Sequence, residues 1–189
     1  MSSKASASRA PDLTANVTAD VAADLGTRTY PAAGGSSAQT LVVGESGIVD
    51  GTQIYRVDPQ VRIGVIRRGI PASSVSSLSS RMGMSKESLL ASLGLSRATI
   101  SRKEKDATVL SRDESERVLG VETLIGMVQT MVEQSGDPAG FDAARWVSDW
   151  LSKPLPALAG ATPASYMDTF EGQKLVAELL SFSQSGAYA

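Results

Sequence analysis

The stretch 85–105 constrains the fold most, because two short amphipathic segments meet there at Gly94. The apolar residues of the first segment are spaced to share one face of a helix, and Gly94 can take the left-handed conformation that ends such a helix. Ser96 can then cap a second helix, with Leu95 in the angle between the two. This is the layout of a helix-turn-helix, whose second helix enters the major groove of DNA.

The predicted second helix carries cationic and hydroxyl side chains that suit contact with DNA. In this layout Arg97 and Thr99 would face base edges, and the later residues would lie nearer phosphates. The candidate DNA-binding residues are Ser96, Arg97, Thr99, Ser101, Arg102 and Lys105. An ordinary αα-corner with a solvated basic helix is the alternative interpretation of the same pattern.

Two positions depart from the usual helix-turn-helix pattern. Leu90 stands where a small residue normally lets the two helices approach, and Lys103 stands where an apolar residue normally closes the core. A slightly splayed motif with weakened affinity for DNA lies between the two interpretations.

The absence of cysteine and histidine limits the chemistry that the chain can perform. It removes thiol nucleophiles, disulfides, the usual zinc ligands and every histidine-based catalytic dyad or triad. The sequence therefore predicts no catalytic residue, no metal site, no cofactor and a protein that is not an enzyme. The net charge of −2 gives no general attraction to nucleic acid, so DNA binding would depend on a local basic face.

The sequence shows no segment that would direct the chain into a membrane or out of the cell. No apolar run approaches the length of a membrane-spanning helix, and Lys4 and Arg9 are not followed by the apolar stretch of a secretory signal. We therefore expect a soluble cytoplasmic protein.

Residues 1–57 are expected to form a flexible N-terminal region, because most of this region is rich in alanine, serine, threonine and glycine. A weak helix is conceivable over 10–25. Short β-prone runs at 41–43 and 53–57 flank several glycines, which makes a small hairpin possible near 41–57.

Helical patterns surround the central motif on both sides. One helix is expected from Pro59 and another over 72–82, each with apolar residues on one side. Ser111 and Glu114 form a capping box at the start of a long helix. The apolar residues of that helix cover more than one face, which suits a dimer interface as well as a core.

The last third of the chain pairs two helices with a loop rich in proline. The helices are expected over 141–151 and from Phe170 to about Ser181. The loop over 153–163 alternates prolines with apolar residues, so we expect it to be rigid and packed. Trp146 is expected in the core, with a position at an interface as the alternative.

A specific pattern runs through this proline loop and the start of the last helix. It reads Trp-Leu-x-x-Pro-x-Pro-Ala-Leu-x-Gly-x-Thr-Pro, followed by Asp-Thr-x-Glu-Gly. The residues that carry it are Trp150, Leu151, Pro154, Pro156, Ala157, Leu158, Gly160, Thr162, Pro163, Asp168, Thr169, Glu171 and Gly172. Together with the preceding helices, this pattern resembles the Xre/MbcA/ParS group of antitoxins from about Val61 to the C-terminus. Leu155 and Ala159 depart from the group, which usually has Asn and Gly there.

The resemblance implies an all-α fold with two functional domains. An Xre/Cro-like helix-turn-helix domain for DNA binding and dimerisation would span 58–135, and a small helical toxin-binding domain with a C-terminal tail would span 136–189. A disordered or weakly structured N-terminal region would precede them over 1–57.

The resemblance also implies the antitoxin of a type II toxin–antitoxin system. Its partner would be a RES-domain toxin that degrades NAD, and the C-terminal segment of the antitoxin would block the active site of that toxin. The expected toxin-binding residues are Lys153, Ser183, Ser185, Gly186, Ala187, Tyr188 and Ala189.

In that group the protein would act as a homodimer that binds its own promoter, and with the toxin it would form a higher hetero-oligomer. Two alternatives remain at this point. One is a stand-alone helix-turn-helix transcriptional regulator, and the other is a ParS-like interaction protein with little DNA binding.

Overall fold

The computed structural model describes residues 28–31, 40–43, 50–136 and 138–184. Within these residues the chain forms eight α-helices and one antiparallel pair of short strands. The strands are β1, Arg28–Pro31, and β2, Thr40–Val43. The helices are α1, Gly51–Arg56; α2, Pro59–Arg68; α3, Ser73–Met82; α4, Lys86–Ser92; α5, Arg97–Lys105; α6, Arg112–Ser135; α7, Ala143–Leu151; and α8, Phe170–Gln184. Two 3₁₀ turns, Pro156–Leu158 and Pro163–Tyr166, lie between α7 and α8. The predicted all-α fold class is confirmed, with the strand pair as a small addition.

The predicted hairpin near 41–57 is wrong. The strand β2 pairs with the upstream strand β1, so that Val43 lies opposite Arg28. The second β-prone run instead forms α1, because the carboxylate of Asp50 accepts a hydrogen bond from the backbone N–H of Thr52 at 2.9 Å and caps a helix there. Ile54 of α1 is then fully buried. Burial against the rest of the chain therefore outweighs the β propensity of residues 53–57 and favours a helix there. The suggested helix over 10–25 lies outside the described residues.

The long helix α6 is the centre of the fold. The helices α1, α2, α7 and α8 all pack against it. Apart from Leu158, the buried apolar side chains of the described residues form one continuous core, which extends from Ile54 in α1 to Leu180 in α8. The core therefore joins the helix-turn-helix part to the C-terminal part. The domain division at 135–136 stays a prediction.

The helix α6 begins at the predicted capping box. The hydroxyl of Ser111 accepts from the backbone N–H of Glu114 at 3.2 Å, and the Glu114 carboxylate accepts from the backbone N–H of Ser111 at 2.6 Å. Both hydrogen bonds satisfy N–H groups that the first turn of a helix leaves without a partner.

The apolar faces of α6 are covered within the same chain. Val118, Leu124, Met127 and Val128 are all buried, because different neighbouring helices lie on different sides of α6. These residues are therefore explained by the core of one chain. The apolar faces of α6 are therefore not evidence for a dimer interface, and the homodimer stays a prediction.

The prediction that Trp146 lies in the core is wrong. Trp146 is 39% exposed, and the buried side of α7 consists of Ala143, Ala144, Val147 and Leu151. Ala143 and Ala144 lie four and three residues before Val147, and Leu151 lies four residues after it, so the four share one face of the helix and suffice to bury it. The indole of Trp146 lies beside that face and stacks on Trp150.

Candidate functional site

The helices α4 and α5 form the predicted helix-turn-helix. Gly94 between them has a positive φ of 60°, and the backbone N–H of Leu95 donates to the carbonyl of Leu90 at 2.9 Å. The hydroxyl of Ser96 accepts from the backbone N–H of Thr99 at 3.4 Å and caps α5. Ile100 is fully buried and attaches α5 to the core. The exposed side of α5 is therefore held in a fixed orientation.

The two departures from the usual motif are both accommodated. Leu90 is buried in the core. The ammonium of Lys103 pairs with the Glu114 carboxylate at the start of α6. Burial tends to raise the pKa of Glu114, but its hydrogen bonds to Lys103 and to the Ser111 backbone outweigh this and lower the pKa. An ion pair therefore joins α5 to α6 where the usual motif has an apolar contact.

The structure places the predicted DNA-binding residues together on α5. Ser96, Arg97, Ser101, Arg102 and Lys105 are exposed, and Thr99 is half-buried. Within the described part of the chain, the side chains of Arg102 and Lys105 form no ion pair. They are thus available to an external anion.

Acidic side chains neutralise part of the charge around α5. Arg97 pairs with Glu87 of α4 at 3.2 Å, and both side chains are exposed. Lys86 of α4 pairs with Glu104 of α5. An exposed pair such as Arg97–Glu87 is weak in water, so phosphate or a base edge can replace the carboxylate.

Arg117 of α6 is a residue of this site that sequence reasoning missed. Its guanidinium donates to the carbonyls of Leu93 and Gly94, each at 3.2 Å, and so fixes the turn between α4 and α5. Its own carbonyl accepts from the side-chain amide of Gln173 in α8 at 3.0 Å. The contacting residues are 24 and 56 positions apart, and no local pattern in the sequence signals such pairs.

The proline loop between α7 and α8 is held by backbone hydrogen bonds and buries two of its side chains, and its predicted rigidity stays a prediction. The backbone N–H of Leu155 donates to the carbonyl of Ala161 at 3.0 Å, which closes the loop on itself. Leu158 and Pro163 are buried. Ala159 has a φ of 52°, a conformation that favours glycine.

The predicted toxin-binding residues are only partly within the described residues. Lys153 is exposed just after α7. Ser183 lies in the last turn of α8. The remaining ones, Ser185, Gly186, Ala187, Tyr188 and Ala189, lie outside the described residues.

A buried ion pair lies on another side of α6. Glu122 is 1% exposed, and its carboxylate pairs with Arg81 of α3. Burial raises the pKa of Glu122 to about 7 against the opposing effect of Arg81. The second carboxylate oxygen of Glu122 has no hydrogen-bond partner in the described part of the chain. This pair lies beside Gly51, at the start of α1, and belongs to the core.

Among the described residues, no cluster of three or more acidic, histidine or cysteine side chains is placed to hold a metal ion. No helix among these residues is long and apolar enough to cross a membrane.

Comparison with known proteins matches two family models to this chain. Residues 61–121 match the antitoxin Xre-like helix-turn-helix domain. Residues 139–186 match the antitoxin Xre/MbcA/ParS C-terminal toxin-binding domain. The first match contains α4 and α5, and the second contains α7, the proline loop and α8.

The chain is also similar to a curated protein named Prs ADP-ribosylating antitoxin, from Sphingobium sp. (strain YBL2). The two are 43% identical over 136 residues, which are 72% of this chain and 86% of the relative. Both family models describe domains of antitoxins. The exposed helix-turn-helix, the two model matches and this relative lead to one conclusion: the chain belongs to the Xre/MbcA/ParS family and is an antitoxin of a toxin–antitoxin system, with a helix-turn-helix domain and a toxin-binding domain.

Proposed function

We propose that this antitoxin neutralises a RES-domain toxin that consumes NAD, and that its C-terminal segment blocks the active site of that toxin. The name of the Sphingobium relative ties that protein to ADP-ribosylation. ADP-ribosylation takes the ADP-ribose group from NAD, so this likeness supports a toxin partner of the same chemical class. The toxin-binding match ends at residue 186.

The proposed contact with the active site lies at the end of α8. The helix α8 is attached to the core by Val176 and Leu180, which are both buried. It brings the chain to Gln184, from which the proposed contact residues Ser185 to Ala189 continue. This segment combines small residues with Tyr188, which suits entry into a nucleotide pocket, because the tyrosine ring can stack on a base or a nicotinamide.

Removal of residues 185–189 is expected to weaken neutralisation and to leave the fold intact, because the core that the described residues form is complete by Leu180 of α8. Growth of cells that express the toxin with full-length or shortened antitoxin gives the readout. Circular dichroism and promoter affinity serve as controls for the fold. Equal protection by both chains would remove the proposed role of the tail.

The second part of the proposal is that a dimer of this protein binds its own promoter through α5 and represses the operon. The observation that carries it is the exposed set of cationic and hydroxyl side chains on α5. In this arrangement the N-terminal residues of α5 enter the major groove, and Arg102 and Lys105 contact phosphates. A dimer would need a two-fold operator with half-sites about one turn of DNA apart.

Arg97→Ala and Arg102→Ala are each expected to weaken promoter binding and to leave toxin neutralisation unchanged. Loss of the Arg102 phosphate contact should also reduce the slope of log affinity against log salt by about 1. Lys174→Ala removes an exposed cation from α8 and is the charge-matched control. Gel-shift titrations at several fixed salt concentrations measure these effects. If both arginine variants bind the promoter as tightly as the unaltered chain, α5 is not the DNA-binding helix.

One observation favours a second candidate function, an interaction protein of the ParS type with little DNA binding. Several charged groups around α5 already pair within the chain, among them Lys103 with Glu114 and Arg97 with Glu87. The same gel-shift titrations decide between the two functions, because this candidate predicts no measurable preference for the promoter over random DNA.

A further inference from the structure

Trp146 on α7 exposes a large apolar ring to solvent. The residue is 39% exposed, whereas Val147 and Leu151 of the same helix are buried in the core. The core side of α7 is complete without it, and more than a third of the residue is left open to solvent. Large aromatic side chains at the surface are enriched where a partner protein covers them.

The ring of Trp146 is held in place before any partner arrives. It stacks on Trp150 with ring centroids 6.2 Å apart and planes 10° apart. Trp150 in turn packs against the hydrophobic core. A side chain that is already ordered loses little conformational entropy when it is covered. Tryptophans of this kind are enriched among the residues that carry most of the binding energy of an interface.

Charged side chains border the ring along α7. Arg145 and Asp142 are exposed and pair with each other at 3.4 Å. Asp149 is exposed on the same helix, and Lys153 is exposed two residues after it ends. An apolar centre with a polar border is the usual composition of a surface that binds another protein.

We propose that the face of α7 around Trp146 is a second contact with the toxin, separate from the C-terminal segment. The helix α7 is the first helix of the toxin-binding match over 139–186, and Lys153 beside it is one of the proposed toxin contacts. The partner surface would be an apolar patch outside the active site of the toxin, with polar groups opposite Arg145 and Lys153. The inference rests on the proposed function, because it takes the toxin as the occupant and not a second copy of this chain.

Trp146→Ala tests the inference in the full-length protein. Tyr55→Ala is the matched control, because Tyr55 is an aromatic residue that is 36% exposed on α1, outside the toxin-binding match. Titration calorimetry with the purified RES-type toxin of the same operon measures both variants. Trp146→Ala is expected to raise the Kd at least about tenfold, whereas Tyr55→Ala leaves it unchanged. Promoter affinity and circular dichroism should not change in either variant.

A second readout needs no substitution. In the unaltered protein, hydroxyl-radical oxidation of Trp146 should fall when the toxin is bound, and oxidation of Tyr55 should stay the same. Equal oxidation of Trp146 in the free and bound protein would overturn the inference. An unchanged Kd for Trp146→Ala would do so as well.

Two further results distinguish this inference from its rival and from the proposed function. If Trp146→Ala weakens toxin binding only by turning a dimer into a monomer, as light scattering would show, a second copy covers this face and the inference is overturned. If the unaltered chain does not bind the toxin at all, the proposed function and the inference fall together. In the chain that ends at Gln184, Trp146→Ala should weaken the remaining affinity further, which separates the α7 contact from the tail.

Discussion

Glu122 of α6 has a buried carboxylate that lies beside Gly51 at the start of α1. Its ion pair with Arg81 is its main compensation, and Arg81 itself is only 29% exposed. The charge of Asp50 nearby adds to the effect of burial, and together they place the pKa of Glu122 at about 7. A charge in such a place stabilises the fold only if its partners replace the lost water.

The stability of the protein should therefore depend on pH through Glu122. Its pKa in the folded chain lies above the ordinary value of 4.5, so between these two values the folded state holds a proton that the unfolded state releases. The contribution of this group to the free energy of unfolding is then largest below pH 4.5 and falls as the pH rises towards about 7. Glu122→Gln removes the ionisation and should remove this dependence.

Urea unfolding at several values from pH 5 to pH 8 measures the effect. The free energy of unfolding of the unaltered chain, relative to Glu122→Gln, is expected to decrease across this range. Glu171→Gln, on the exposed side of α8, serves as the control and should leave the pH profile as it is. A constant difference between the chain and Glu122→Gln would contradict the raised pKa.

At the scale of elements, the contact of α1 with α6 depends on two glycines. Gly51 of α1 lies so close to Gly126 of α6 that a methyl group on either residue would overlap the backbone of the other helix. The close approach lets Ile54 reach the core, where it is fully buried. Arg56 of α1 also pairs with Glu133 of α6 at 2.6 Å.

Gly126→Ala is therefore expected to displace α1 and to lower the free energy of unfolding by about 2 kcal/mol or more, the value of burying one isoleucine side chain. Alanine is a better helix former than glycine, so helix propensity alone predicts that Gly126→Ala raises the free energy of unfolding. Gly64→Ala in α2 is the control, because its methyl group would lie 3.4 Å from the flexible end of Arg68. That variant should be stabilised by up to about 1 kcal/mol. A Gly126→Ala chain as stable as the Gly64→Ala chain would show that the glycine contact does not hold α1.

Local patterns predicted most helices and missed what distant contacts decide. The capping box at Ser111 and the glycine turn at Gly94 are short-range chemistry, so α5 and α6 could be placed from the sequence. By contrast, α1 depends on contact with Gly126, which is far away in the chain. The Asp50–Gly51 pair at the start of α1 is also typical of a turn, so the sequence did not indicate a helix there. Trp146 is exposed because other residues of α7 face the core, and which face of α7 is buried depends on the helices that pack against it. The DNA-binding candidates could be proposed from the sequence because they follow one another along one helix. The role of Arg117 could not, because it contacts Leu93, 24 residues away.

At the scale of the whole molecule, one core joins the two parts of the antitoxin. Arg117 contacts the turn before α5 through its side chain and Gln173 of α8 through its carbonyl. A methyl group on Gly94 would lie 3.2 Å from Cβ of Asp168, so the turn also lies against the chain just before α8. The proposed DNA-binding face and the toxin-binding domain are thus parts of one packed body, so one core holds both of the proposed contact surfaces.

If this antitoxin silences an NAD-consuming toxin as proposed, the rate of NAD loss should report it. Purified toxin from the same operon is incubated with NAD, and full-length antitoxin is added up to and beyond equimolar amounts. We expect NAD consumption to stop near equivalence, and the chain with both Arg97→Ala and Arg102→Ala to stop it equally well. An unchanged rate of NAD loss with the full-length antitoxin in excess would show that this antitoxin does not inhibit an NAD-consuming toxin.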